Sequence, residues 1–283
     1  MLKHTFLHTP GVGPAIERKL WDCGILSWEH WLEGCSTVRL NRRVSEALDA
    51  QIERSIQALA AGNARFFEES LPVSEAWRMY GEFRESVAFL DIETTGLSLW
   101  FSQITVIGLF DGHDVKVFVR GINLDDFPRE IQRHSLLVTF NGKRFDLPFL
   151  RQTFGELPPH VGHLDLRYPL RRLGYSGGLK RIELQVGIER EGALREVDGF
   201  LAVLLWREYE KGNRAALQTL MRYNMEDVVN LQHLADLAYN QLLANLPLPV
   251  EPLPVHPKRV VDIPFDAELI EYLRHRASLG WLR

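Results

Sequence analysis

The stretch Phe89-Leu90-Asp91-Ile92-Glu93-Thr94-Thr95-Gly96-Leu97 constrains the chain most: it is an apolar strand pattern that ends in two carboxylates on alternate residues. Side chains at i and i+2 of a strand point to the same face, so Asp91 and Glu93 stand together at the strand's end. Two like charges that close call for a cation. The plainer alternative is a half-buried edge strand whose acids face water.

At 283 residues the chain exceeds one typical domain, and a hydrophobic share of 46% is that of an ordinary globular protein. The formal charge of -4 excludes a global basic field, so any nucleic-acid contact must come from a local patch. The longest apolar runs, Ile104–Phe110 and Phe200–Trp206, are too short to span a bilayer, and the N-terminus lacks the apolar core of a signal peptide. The expectation is a soluble, unexported protein with no membrane partner. Two cysteines, Cys23 and Cys35, are too few for a disulfide framework or a four-ligand zinc site, and a cytoplasmic setting follows most simply.

Four segments are expected: a helical unit over 1–62, a helical connector over 63–85, a catalytic domain over 86–245, and a proline-rich connector with a C-terminal helix over 246–283. The first contains Thr9-Pro10-Gly11-Val12-Gly13-Pro14 ahead of a helical stretch to Cys23, then Gly24 and a second helical stretch from Ser27 to Glu33. Pro14 suits a first helical turn, Gly24 a C-terminal cap and Ser27 an N-cap. Apolar residues at Val44, Leu48, Ile52 and Ile56 repeat with helical spacing, which predicts an amphipathic helix used for packing. A further helix is expected over 74–83, with Trp77 and Tyr80 as packing residues.

After Leu97, Ile104–Phe110, the Asp111-Gly112 turn and the alternating Val115, Val117 and Val119 read as a hairpin. A short helix over 126–133 and a strand over Leu136–Phe140 follow by a crossover connection, so the order predicts a mixed α/β domain on one sheet. Phe140-Asn141-Gly142-Lys143-Arg144-Phe145-Asp146 then turns from strand into helix, where Asp146 is either a favourable helix-start acid or a partner of the first pair. His163–Leu166 reads as a strand and Gly177–Val186 as a helix.

Arg167, Arg171, Arg172, Lys180, Arg181, Arg190 and Arg195 concentrate positive charge, either as a solvated face or as a strand-binding surface. The longest helical pattern runs over 214–245. At about 100° per residue, Tyr223 and Asp227 share one flank of its apolar stripe, and Glu226 points away from the stripe as a solvated acid. Asn224 falls inside the stripe, where a buried amide must find partners and would brace a neighbouring turn or the active site. Six of the 14 prolines lie between Pro247 and Pro264, an extended connector. The tail over 266–276 offers Leu269, Tyr272 and Leu273 as a docking stripe.

Three separated motifs, Asp91-Ile92-Glu93-Thr94-Thr95-Gly96-Leu97, Phe140-Asn141-Gly142-Lys143-Arg144-Phe145-Asp146 and Tyr223-Asn224-Met225-Glu226-Asp227, together resemble the DEDD family of 3′→5′ exonucleases, in its tyrosine branch. The Gly187-Ile188-Glu189-Arg190-Glu191-Gly192 stretch and the N-terminal segment are similar to the YprB-like ribonuclease-H-like proteins, and the Gly11-Val12-Gly13 turn resembles a helix-hairpin-helix motif with a short first helix. The resemblance implies a ribonuclease-H-like mixed β-sheet flanked by helices. It implies that Asp91, Glu93 and Asp227, helped by Asp146, hold two divalent ions, Mg²⁺ or Mn²⁺, and that Tyr223 aims the attacking water. It further implies that Thr94, Thr95, Gly96 and Leu97 receive the 3′-terminal nucleotide. Asn141 and Lys143 would contact a phosphate or the groups around the metals, with a turn role competing for Asn141-Gly142, and the amides around Gly11 and Gly13 would clamp a phosphate or serve as a structural turn. The implied substrate is a single-stranded 3′ end, DNA ahead of RNA. The rivals are a 3′→5′ exoribonuclease and an inactive nucleic-acid-binding module. Asp165, Glu183 and Asp198 are expected to be caps or salt-bridge partners, with a supporting place around the metal site as the alternative.

Overall fold

In the computed structural model, which describes residues 1–34 and 38–280, the chain opens with a single 3-10 turn at Leu2–His4 in place of a full first hairpin helix. Helix α1 (Pro14–Asp22) starts with Pro14 in its first turn, where the missing amide costs nothing. Helix α2 (Trp28–Leu32) is capped by Ser27, whose hydroxyl accepts from His30 N. Asn41 caps α3 (Arg42–Ala60) and Asn63 caps α4 (Ala64–Ser70), each side chain taking up an otherwise orphaned amide. The stretch expected as one helix over 74–83 is a 3-10 segment, Val73–Met79, followed by α5 (Tyr80–Phe83). Cys35 lies outside the described residues.

Strands β1 (Val87–Thr94), β2 (Ile104–Phe110), β3 (Val115–Val119), β4 (Leu136–Thr139) and β5 (Gly162–Asp165) form one sheet in the order β3-β2-β1-β4-β5. The first three are antiparallel; β4 runs parallel to β1, and β5 parallel to β4. Parallel neighbours need crossovers, supplied here by α6 (Phe127–Ile131) and α7 (Asp146–Phe154). Alternation along β1 divides its side chains between two layers. Leu90 and Ile92 pack with Leu147, Phe149 and Leu150 of α7, while Phe89 packs on the opposite face.

That opposite face is covered by α11 (Arg214–Leu243), whose Val228, Leu231 and Ala235 share a core with Phe89 and Phe110. Three further helices, α8 (Arg167–Arg172), α9 (Leu179–Gln185) and α10 (Gly199–Glu210), lie between β5 and α11 in the chain. The helix approaches the sheet closely at Gly108, where a Cβ would sit 2.2 Å from Asn224 Oδ1 and 3.1 Å from Val228 Cγ1. Gly108 is also the register partner of Asp91, so this glycine brings the helix down on the first carboxylate.

The N-terminal helices share the sheet's core: Trp28, Leu48 and Phe67 pack in the same cluster as Phe89 and Val138. Arg78 ties the parts together, donating from Nη1 to Glu17 (3.0 Å) and from Nε to Glu75 (2.8 Å), all three side chains buried. Helix α4 lies so close to β5 that a Cβ on Gly162 would meet the Ala64 backbone at 2.6 Å.

Beyond α11 the proline-rich segment is extended, and it runs back along that helix. Asn240 Nδ2 donates to Leu253 O (2.7 Å) and Asn240 Oδ1 accepts from Leu253 N (2.8 Å), a two-way amide clasp. The final helix, α12 (Ala267–Gly280), buries Ile270 and Leu273 against the cluster that contains Leu201 and Leu205 of α10. Tyr272, expected in the docking stripe, is 54% exposed, because it falls two positions from Ile270 and so to the side of the buried face. Among the described residues no helix is long and apolar enough to cross a membrane.

Candidate metal centre

The end of β1 carries Asp91 and Glu93, and α11 brings Asp227 against them: one oxygen from each lies within 4.8 Å of the others. Asp146 approaches from the other layer as the first residue of α7, and its Oδ1 accepts from Ile92 N at 3.2 Å. It lies outside the three-carboxylate cluster, fixed to the backbone of the strand that carries the other two. Burial, reinforced by the neighbouring acids, raises Asp91 and Glu93 well above the usual carboxylate range. Asp227 is raised by burial against the opposing pull of Arg190, and Asp146 is pushed up to about 7, again chiefly by burial.

These four carboxylates line one cleft of about 800 Å³ with Thr94, Thr95, Gly96, Leu97, Asn141 and Tyr223. Tyr223 is buried, and its hydroxyl is held well above its ordinary value by burial and by the charges of Asp227 and Glu93, so it keeps its proton. Thr94 Oγ1 donates to Gly96 O at 2.6 Å and ties the strand end to the loop. Asn141 adopts a left-handed φ of 64°, and its turn is held by Asp165, which accepts from Asn141 N (2.7 Å) and Lys143 N (3.1 Å). Lys143 is exposed and is not among the cleft-lining residues. Gly11 and Gly13 belong to the turn before α1 and are not among the cleft-lining residues: Gly11 takes a φ of 84° and Gly13 is the N-cap.

Asn224 Nδ2 donates to Asp91 Oδ2 (3.0 Å) and Asp91 O (3.2 Å), so the amide inside the apolar stripe braces the first carboxylate. Glu226 corrects the helical-wheel reading. It is 2% exposed and accepts from Arg222 Nη2 at 2.9 Å, because the extended C-terminal segment covers that side of α11 and Ile263 O accepts from the same arginine. Helix α11 is therefore buried nearly all round, which a two-faced wheel does not anticipate.

Arg190, like Glu226, lies elsewhere than its sequence position suggests. Grouped with a basic surface, it is buried beneath the site, where Nη2 pairs with Asp227 Oδ1 and Nε and Nη2 each donate to Glu183 at 2.7 Å. Glu183 Oε1 also accepts from Asn230 Nδ2 at 3.0 Å. Lys180 stands over the Tyr223 ring at 4.7 Å, and the Arg190 guanidinium lies 5.6 Å from the same ring. A signal for this layer was present: Asn230 lies three residues after Asp227 on α11 and, like Asn224, is a buried amide on a mostly apolar helix. Asp198, which caps α10 by accepting from Leu201 N, also lines the cleft, with Phe200, Val203 and Arg207 of that helix.

The donor set fits a hard divalent cation. All the converging groups are carboxylate oxygens, and the excess of four acids is opposed nearby by Arg190 and Lys180.

A five-stranded sheet of this order, with acids from β1, α7 and α11 meeting at one end, defines a ribonuclease-H-like α/β protein. The family model of the RNase_H superfamily matches residues 88–239, more than half of the chain, and the chain belongs to that superfamily. No curated protein matches it. Among solved structures it is similar to the family B DNA polymerase of Pyrobaculum calidifontis, with 18% identity over 56% of this chain and a TM-score of 0.40; the match takes in 24% of the polymerase chain. It is also similar to Brucella melitensis NrnC with bound Mg²⁺, with 20% identity, 72% of this chain, 89% of that chain and a TM-score of 0.38. For the same Brucella protein bound to pGG the values are 19%, 71%, 87% and 0.37.

Proposed function

We propose that this protein is a metal-dependent nuclease of the tyrosine branch of the DEDD 3′→5′ exonucleases, removing nucleotides from single-stranded 3′ ends. The observation that carries the reading is the meeting of Asp91, Glu93 and Asp227 at one point, with Asp146 and Tyr223 on the same cleft. Two divalent ions, Mg²⁺ or Mn²⁺, supply Lewis acidity to the phosphate and lower the pKa of a water.

Asp91, Glu93 and Asp227 hold those ions, and Asp146 completes the carboxylate wall. Asn224 and Arg190 keep Asp91 and Asp227 in place through the contacts described above. Tyr223, protonated at neutral pH, has a phenolic hydrogen to donate and is a poor base, so its part is to orient the attacking water. Thr94, Thr95, Gly96, Leu97 and Asn141 line the space beside the carboxylates and receive the terminal nucleotide. The preference for DNA rests on the hairpin resemblance alone, whose first helix is only a 3-10 turn, so RNA is tested beside it.

The test is digestion of 5′-labelled DNA and RNA oligomers, single- and double-stranded, with Mg²⁺, Mn²⁺ or chelator. A ladder that shortens from the 3′ end and vanishes with chelator is expected. Internal cuts, or no cuts with any metal, would overturn the proposal.

A further inference from the structure

The connection between β1 and β2 turns Leu97, Trp100 and Phe101 to solvent at 84%, 85% and 90% exposure. Large apolar groups gathered in this way mark interaction sites, since leaving them in water gains the monomer nothing. The loop that carries them is ordered. Phe101 N and Ser102 N both donate to Ser98 O (3.2 and 2.8 Å), and Thr95 N donates to Gln103 O at 2.9 Å. Gln103 N returns a bond to Thr95 Oγ1 at 3.0 Å. Leu99 packs inward on the core of Leu90 and Ile92, and Gly96 leaves room for Ser102, whose Oγ would lie 2.9 Å from an added Cβ. Trp100 and Phe101 are thus presented on a turn whose backbone cost of ordering is already met by internal contacts. Leu97 belongs both to this lip and to the wall of the carboxylate cleft.

We infer that Trp100 and Phe101 form a stacking platform for the bases of an unpaired nucleic-acid strand just upstream of the nucleotide seated at the carboxylates. The inference rests on the nuclease reading for what occupies the cleft. A strand whose 3′ end lies at Asp91 and Asp227 must leave past the rim of that cleft, and Leu97 on the rim belongs to the same loop as the two exposed aromatic residues. Every base offers a π face, so aromatic rings grip a strand without reading its sequence, while bases in a duplex keep their faces against one another. Arg207 of α10, exposed and lining the same cleft, offers positive charge to a phosphate beside Phe200. The platform therefore favours single strands of any sequence that extend beyond the terminal nucleotide.

The experiment compares the full chain with a Trp100→Ala/Phe101→Ala double variant and with Trp100→Phe. Binding of labelled strands of about ten nucleotides is measured by fluorescence polarisation in an Asp91→Asn background, and kcat and KM are measured in the otherwise native chain. The double variant is expected to weaken single-strand binding by roughly 5- to 100-fold, to raise KM for the longer strand with kcat retained, and to leave KM for a dinucleotide unchanged. Trp100→Phe is expected to stay near the native values. Both side chains are exposed, so equal melting temperatures provide the folding control.

Equal affinities for native and double-variant chains overturn the platform, as does an unchanged affinity combined with a dimer that the double substitution converts to a monomer in light scattering. Strand binding that depends on Trp100 and Phe101, without 3′ shortening under any metal, supports the platform and overturns the nuclease reading. Metal-dependent 3′ shortening with KM unaffected by the double substitution does the reverse.

Discussion

Arg190 pairs with Asp227 on one side and donates two 2.7 Å hydrogen bonds to Glu183 on the other, so a buried arginine links the α11 carboxylate to α9. A charge this deep is tolerable only with its partners in place. The salt bridge thus sets the position of a group proposed to hold metal.

Replacing Arg190 with Met leaves Glu183 and Asp227 buried without their counter-charge and should destabilise the fold by about 3–5 kcal/mol in denaturant titration. The double change Arg190→Met/Glu183→Gln should cost clearly less than the sum of the two single changes. Additive single and double values would show that the pair is not coupled.

Asp91→Asn and Asp227→Asn each remove one charge from the cluster. Each should reduce metal-dependent cleavage by more than the roughly 10- to 100-fold typical of groups that only support a metal ligand, and should weaken Mg²⁺ binding in calorimetry. Because unpaired like charge is relieved, Asp91→Asn should not lower the melting temperature of the metal-free protein, whereas Asp227→Asn, which takes a buried partner from Arg190, should lower it. Cleavage at the native rate by Asp227→Asn would remove Asp227 from the site.

Gly108→Ala places a methyl group where Asn224 Oδ1 and Val228 lie. The overpacking should cost about 1–3 kcal/mol and tilt α11 away from β1, which loosens the Asn224 bond to Asp91. A lowered melting temperature with reduced cleavage per folded molecule is expected. Unchanged values of both would show that α11 tolerates the extra methyl.

The site's pH response follows from raised carboxyl groups. Asp146, near 7 when folded, keeps a proton that the unfolded chain sheds near 4, so its contribution to metal-free stability is present below about pH 4 and falls away as pH rises to about 7. Asp91, Glu93 and Asp227 shift in the same direction. His8 and His163, lowered by burial to about 4 and about 3, act oppositely as pH falls below about 6.5, and their effect cancels when the protein is compared with and without metal. The gain in melting temperature on adding Mg²⁺ should therefore be near zero at about pH 5 and grow towards pH 8. A gain that does not depend on pH would mean that metal binding releases no protons from this cluster.

What the sequence determined was local. Alternation put Asp91 and Glu93 on one face of a strand, the Asp111-Gly112 turn made a hairpin, and a 3.6-residue period put Tyr223 and Asp227 on one flank of a long helix. Each depends on near-neighbour geometry, which residue order carries directly. The amide in an apolar stripe, Asn224, was equally visible because a buried polar group must have a partner.

Only the tertiary structure decided which side of α11 meets water and where the arginines of 167–195 end up. Glu226 is buried because a proline-rich segment some forty residues on returns along the helix, and Arg190 is buried because α9 and α11 close over it. Helical periodicity describes one element against one neighbour; it contains no term for a second covering segment. For the same reason the meeting of β1 and α11 at Asp91, Glu93 and Asp227, with Asp146 of α7 on the same cleft, was suggested by resemblance but given geometry only by the packed sheet, where Gly108 lets a helix come close enough to bring the three carboxylates together.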